Sequence, residues 1–114
     1  MNLDELTKNI RKTSKEEVVQ KLANHIQEWK TNEKNALELR NDVERYLGNT
    51  WIDNKQVFEK VYETWSDFKN SAIDKIGGMT MNERLYWFAL IDQFDKASSS
   101  SDQDKFYKKL MAKK

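Results

Sequence analysis

The amino-acid sequence predicts an all-α protein. Its 114 residues are the size of one domain, a single compact bundle of about four to six helices over residues 1–114. No proline and only three glycines are present, so few positions interrupt a helix. Apolar residues recur at intervals of three and four along most of the chain, which is the period of an amphipathic helix. Several of these stretches also follow a capping box, in which a Ser, Thr or Asn precedes a Glu by three residues.

The first helix is predicted to begin at Asn2, because Glu5 completes a capping box and Leu3, Leu6 and Ile10 form one apolar face. The second helix is predicted to begin at Thr13 or Ser14, ahead of Glu16 and Glu17 at the same spacing. Its apolar face continues through Val18, Val19, Leu22, Ile26 and Trp29.

The end of the second helix has two interpretations. The apolar pattern can be continued to Leu47, which gives one helix over residues 15–47 of about 50 Å. A break near Thr31 gives a hairpin of two helices instead. We favour the break, because a hairpin buries both apolar faces in a protein of this size. In either case Gly48 is expected to end the helix that reaches it.

The next helix is predicted to have the most regular pattern of the chain. Asp53 and Gln56 have capping-box spacing, and apolar residues follow at helical intervals from Val57 to Ile76. Gly77 and Gly78 can end this helix in a left-handed conformation.

The helix after Gly78 is predicted to be the central one. Thr80 and Glu83 form a capping box, and the seven residues from Leu85 to Ile91 are all apolar, so contacts are expected around most of the helix. Residues 98–101 are all serine and form a connector. Ser101 or Asp102 is then expected to cap a short last helix.

Composition restricts the class of function. The 20 basic and 19 acidic residues leave a net charge of +1, which argues against nucleic acid or an anionic membrane as the main partner. The longest apolar run is far shorter than a membrane span, and the first residues are acidic where a signal peptide is basic. Cysteine is absent, which suits a reducing compartment. These features predict a cytoplasmic protein.

The residues that catalysis requires are scarce. The single histidine, His25, lies beside an apolar face and is expected to be structural or exposed. Without a second histidine or any cysteine, zinc and di-iron sites are unsupported, and no glycine-rich phosphate loop or nucleophile elbow occurs. We therefore expect no enzyme activity, no catalytic residue, no metal and no cofactor.

A protein interface is the better expectation. Glu59, Glu63 and Asp67 are spaced four residues apart on the side of their helix opposite its apolar residues, and Asp74 roughly extends this line. The line is either a solvated face or a docking site for a basic partner. Most aromatic residues are expected in the core, but Trp51 belongs to a turn, and the adjacent Tyr86, Trp87 and Phe88 cannot all face one neighbour. We expect at least one of Trp51, Tyr62 and Trp87 to anchor the partner.

A resemblance supports this expectation. The residues Asn82-Glu83-Arg84-Leu85, then Leu90, Asp92, Phe94, Asp95 and Ala97, resemble a C-terminal segment of many small bacterial proteins. Some of these look like immunity proteins encoded beside polymorphic toxins, including those of contact-dependent growth inhibition systems. Ala89 occupies a position where glycine is common in such segments. Within the segment Arg84 can pair with a nearby acid, and nothing in it demands catalysis.

Together with the acidic line and the aromatic residues, the resemblance implies an immunity protein whose expected partner is a cognate protein toxin, a basic nuclease domain. The alternative is a small regulatory or phage-borne adaptor that binds a host protein or nucleic acid.

Overall fold

The computed structural model describes residues 1–113, which form α-helices and no β-strand. The helices are α1 (Leu3–Thr13), α2 (Glu17–Trp29), α3 (Ala36–Asn49), α4 (Lys55–Phe68), α5 (Met81–Trp87), α6 (Ile91–Asp95) and α7 (Ser100–Lys109). The all-α class is confirmed, whereas seven α-helices exceed the expected four to six. No described helix is both long enough and apolar enough to cross a membrane.

Helix α1 packs against both α2 and α4. Its capping box is present as predicted, since Asn2 Oδ1 accepts from the Glu5 amide at 2.9 Å and Glu5 Oε1 accepts from the Asn2 amide at 3.1 Å. Leu3, Leu6 and Ile10 are completely buried. The N-terminal helix is therefore part of the core.

The predicted break near Thr31 is also confirmed. Helix α2 ends at Trp29 and α3 begins at Ala36. Helix α3 begins with a capping box that was not predicted, in which Asn35 Oδ1 accepts from the Glu38 amide at 2.9 Å. The indole Nε1 of Trp29 donates to the Asn35 carbonyl oxygen at 3.0 Å, so the buried tryptophan fixes the turn between the two helices.

Three predicted helix starts are wrong in detail. Helix α2 has Glu16 at its N-cap without a side-chain bond, and Ser14 Oγ accepts from the Glu16 amide instead. The N-cap of α4 is Asn54, not Asp53, and that of α7 is Ser99, which accepts from the Asp102 amide. In α4 and α7 a neighbouring Asn or Ser takes the cap, and spacing alone does not distinguish such neighbours.

The glycines do not act as predicted. Gly48 lies inside α3, which continues to Asn49. Gly77 and Gly78 lie in a 3₁₀ turn, Ile76–Gly78, and no glycine has a positive φ. The helix before them ends differently, because α4 passes into a π-helical turn, Lys69–Ile73. That wider turn shifts the helical phase, so Asp74 does not continue the line of Glu59, Glu63 and Asp67 in regular register.

The predicted central helix is interrupted. Its capping box is present, with Thr80 Oγ1 accepting from the Glu83 amide at 3.1 Å and Glu83 Oε1 from the Thr80 amide at 3.0 Å. The hydrogen bond that the Thr80 amide donates to the Glu83 carboxylate lowers the pKa of Glu83. The bond between this carboxylate and the Thr80 hydroxyl lowers the pKa further. However, α5 stops at Trp87, so the seven apolar residues do not form one helix, and Tyr86 among them is 49% exposed.

Ala89 causes the interruption by adopting a left-handed conformation with φ of 56°. The Leu90 amide donates to the Leu85 carbonyl oxygen at 2.9 Å, and the Ala89 amide donates to that of Tyr86 at 3.1 Å. These are the two bonds of a Schellman motif, and its usual apolar contact is supplied by Leu85 and Leu90, which are both buried. Ala89 is therefore a position that requires a positive φ, which glycine adopts without strain.

Replacing Ala89 by glycine should stabilise the protein by about 0.5–1 kcal/mol. A left-handed L-residue costs about 1–2 kcal/mol, which glycine relieves. The greater flexibility of glycine in the unfolded chain offsets part of this stabilisation. Urea unfolding followed by circular dichroism measures the difference. The matched control is Ala23→Gly in the middle of α2, where glycine should cost about 1 kcal/mol. A destabilised Ala89→Gly variant would contradict the left-handed assignment.

Two buried cations hold the last helix. Lys109 is only 7% exposed, and its Nζ donates to the carbonyl oxygens of Asn32 at 2.7 Å and Lys34 at 2.8 Å. The same ammonium lies 4.1 Å from the ring centroid of Trp29, in a cation–π contact. Helix α7 is thereby bound to the turn between α2 and α3.

Arg84 holds the end of α7 from the other side. It is 8% exposed, with Nε donating to the Met79 carbonyl oxygen and Nη1 to that of Leu110, both at 3.2 Å. The residue thus bonds to backbone carbonyls where the sequence suggested a nearby acid. Since the last carbonyls of a helix lack internal partners, a buried guanidinium satisfies them well.

Burial lowers the pKa of Lys109 from 10.5 to about 8, and the negative charge of Glu38 opposes this shift. The unfolded chain keeps the proton to higher pH, so between about pH 8 and 10.5 it binds more protons than the folded protein. The free energy of unfolding should therefore rise with pH in this window, relative to a Lys109→Met variant. Urea unfolding of both proteins at several pH values measures this difference. A pH-independent difference would contradict the shift.

Candidate protein-interaction surface

The acidic face of α4 consists of Glu59, Glu63 and Asp67, and all three residues are exposed. Each step of four residues turns a helix by only about 40° beyond a full turn, so the side chains follow one another along one side. The opposite side of α4 carries Val61 and Phe68, which are completely buried. The structure thus groups the three predicted acids on a single face.

The acidic face is only weakly neutralised within the protein. Glu59 Oε1 lies 4.0 Å from the Nζ of Lys55, and both side chains are largely exposed. Such a pair contributes about 0.3–0.5 kcal/mol in a helix. Glu63 and Asp67 form no ion pair with any residue among 1–113. Two of the three carboxylates therefore remain available to an external cation.

Tyr62 lies on the same side of α4, three residues after Glu59 and next to Glu63. Its side chain is 51% exposed, and its ring stacks on that of Phe58 with centroids 6.2 Å apart. This stacking supports the ring from one side while the other side meets solvent. Tyr62 therefore presents an exposed aromatic ring beside the acidic face.

Trp51 is the most exposed large apolar residue described, at 80%. Its indole Nε1 donates to Asp53 Oδ1 at 2.6 Å. The carboxylate predicted to cap α4 thus binds a tryptophan, while Asn54 caps the helix through the amides of Gln56 and Val57. The structure places Trp51 just before the N-terminus of α4.

Trp87 is the least accessible of the three predicted anchors. It lies on α5, is partly buried against the core, and its described ring contact is with Tyr86 at 5.9 Å. Tyr86 is the more exposed member of that pair. No ring contact or hydrogen bond among residues 1–113 joins Trp87 to the acidic face.

A groove of about 470 Å³ between α2 and α3 was not anticipated. The apolar residues lining it are Leu22, Trp29, Leu39 and Val43, and its polar residues include His25, Glu28, Lys34, Asp42 and Arg45. His25 is exposed, with Nδ1 at 3.8 Å from Glu28 Oε2 and its ring edge-on to Tyr46 at 5.5 Å. Sequence periodicity identifies the two faces that form this groove, but it does not show that open space remains between them.

Among residues 1–113, no three His, Asp or Glu side chains are grouped closely enough to hold a metal ion. Comparison of the chain with known protein families, characterised proteins and solved structures gave no significant match.

Proposed function

We propose that this protein is an immunity protein, which binds a cognate toxin domain and occludes its active site or substrate surface. The observation that carries the proposal is the acidic face of α4, Glu59, Glu63 and Asp67, exposed next to Tyr62. The proposed toxin is a nuclease, and the proposed site of action is the cytoplasm. The protein itself performs no catalysis in this account.

Electrostatics supports a nuclease as the partner. A nuclease needs a basic surface to bind phosphates, and an inhibitor that offers carboxylates to that surface gains fast association. The net charge of +1 gives no general attraction to a basic protein. Attraction therefore depends on a local concentration of acids, and α4 provides one.

The segment that resembles immunity proteins has structural roles in this fold. Glu83 caps α5, Arg84 fixes α7 and Ala89 forms the turn before α6. Residues used in this way are not free to contact a partner through the same groups. This favours α4 and the turn before it as the place where partner specificity resides.

The decisive experiment uses the toxin domain encoded beside the gene for this protein. The purified proteins are mixed, binding is measured by isothermal titration calorimetry, and nuclease activity is assayed with and without the inhibitor. We expect a stable complex and loss of nuclease activity. The proposal fails if no toxin is encoded nearby, or if the neighbouring toxin stays fully active in the presence of excess protein.

The groove between α2 and α3 favours a second candidate function, that of a small regulatory or phage-borne adaptor. An apolar floor with a polar rim is the usual character of a site that receives part of another molecule. An adaptor would bind its host protein through this groove, and substitutions on α4 would leave that binding unchanged.

A further inference from the structure

Trp51 and Asp53 form a hydrogen-bonded pair in which the face of the indole ring is exposed to solvent. The indole N–H is bonded to the Asp53 carboxylate at 2.6 Å, while 80% of the tryptophan remains exposed. The bond fixes the edge of the ring and leaves its π surface to solvent. Both residues therefore present their electron-rich groups outward.

The chain around the pair fixes its position. Ile52, between the two residues, is only 8% exposed and anchors the segment in the core. Asn54 follows directly and caps α4. The alternation places Trp51 and Asp53 outside and Ile52 inside, so the pair projects from a segment held at Ile52 and at Asn54.

The chemistry of the pair suits a cation. The face of an indole ring attracts ammonium and guanidinium groups, and a carboxylate bonded to its N–H adds negative charge at the ring edge. Among residues 1–113 the described cation–π contact is Lys109 over Trp29, and no internal cation lies over Trp51. The attraction is therefore available to a group from outside.

We propose that Trp51 and Asp53 together receive an arginine side chain of a basic protein partner. A guanidinium is planar and weakly hydrated, so it can stack on the indole while its N–H groups donate to the carboxylate. This inference rests on the proposed function, and it specifies the group that the toxin inserts beside the acidic face of α4. A nucleobase has a face that can also stack on Trp51, but its attached phosphate would be repelled by the Asp53 carboxylate.

The test begins without a toxin, using a short peptide of alternating glycine and arginine. Glutamate-containing peptides of the same length and a single-stranded oligonucleotide are the comparison probes. Binding is followed by NMR at the Trp51 Nε1–H resonance, which is identified by its absence from Trp51→Leu, and affinity is measured by calorimetry. The arginine peptide should shift this resonance, and the comparison probes should not.

Two variants and a matched control test whether Trp51 and Asp53 bind the arginine side chain. Trp51→Leu keeps an apolar side chain but removes the π surface, and Asp53→Asn keeps a bond acceptor but removes the charge. Each should weaken binding of the arginine peptide about two- to fivefold, the range for exposed cation–π contacts. Tyr86→Leu removes a half-exposed aromatic residue from α5 and should leave the affinity unchanged.

If either Trp51→Leu or Asp53→Asn binds the arginine peptide with unchanged affinity, the proposed arginine site at Trp51 and Asp53 is wrong. It is also wrong if the oligonucleotide shifts the Trp51 resonance. The two levels of the proposal can fail separately. If Trp51→Leu binds and inhibits the toxin as well as the unchanged protein does, the proposed arginine site is wrong and the proposed immunity function stands. If the peptide binds at Trp51 but the protein does not inhibit the toxin, the proposed immunity function is wrong and the arginine site stands.

Discussion

Replacing Phe88 by alanine is expected to lower the free energy of unfolding by about 3–5 kcal/mol, the range for deleting a buried aromatic side chain. Phe88 is completely buried. Its ring contacts that of Trp29 at 5.4 Å and that of Phe68 at 5.6 Å, so it joins α2 and α4 at the point where α5 ends.

The measurement is urea unfolding followed by circular dichroism. Tyr86→Ala is the matched control, because it also removes an aromatic ring, but from a side chain that is 49% exposed two residues earlier. The control should lose less than about 1 kcal/mol. Equal losses in the two variants would mean that Phe88 is not a central packing residue.

Phe88 also shows what the sequence could predict in this region and what it could not. Seven consecutive apolar residues indicated a buried helix, and Leu85, Phe88 and Leu90 are indeed buried. The helix nevertheless ends inside the run, because tertiary packing of these side chains outweighs the cost of a left-handed Ala89. No glycine or proline signals that end, so local sequence rules could not find it.

The hairpin of α2 and α3 was predictable for the opposite reason. Its break at residues 30–35 is polar, and the two flanking apolar faces each complete a helical pattern. The capping residues of α4 and α7 were harder to assign, because several Ser, Asn or Asp residues adjoin each start, and α2 begins without any side-chain cap. Which of them bonds to the helix depends on the path of the preceding turn.

The candidate surface was partly predictable. The spacing of Glu59, Glu63 and Asp67 places them on one face in any α-helix, and α4 is regular over that range. The exposure of Trp51 and its bond to Asp53 depend on the turn that precedes α4, which spacing does not define. Contacts between distant helices decide the partial burial of Trp87.

Reversing the acidic face of α4, by Glu59→Lys, Glu63→Lys and Asp67→Lys together, should slow association with the toxin at low salt by about tenfold or more. Its three carboxylates are exposed, and such charges at an interface act mainly on the encounter rate. Helicity should be unchanged, since the reversal removes only the loose Lys55–Glu59 pair and adds like-charge contacts worth a few tenths of a kcal/mol each.

A matched variant separates local from overall charge. Glu33→Lys, Asp92→Lys and Asp95→Lys together change the net charge by the same amount, and these exposed residues lie outside α4. If the acidic face of α4 guides binding, this control should associate with the toxin almost as fast as the unchanged protein. Rates are measured by stopped-flow fluorescence at about 0.01 M and 1 M salt, because the Debye length falls from about 30 Å to 3 Å across that range.

The difference between the two variants should be large at low salt and nearly vanish at high salt. Steering by a local patch acts at a distance and is screened, whereas a lost direct contact would weaken binding at both salt concentrations. If the reversed protein still protects cells and binds with unaltered affinity at low salt, Glu59, Glu63 and Asp67 form only a solvated face. The toxin would then contact the first helices, the groove between α2 and α3, or the turn that carries Trp51.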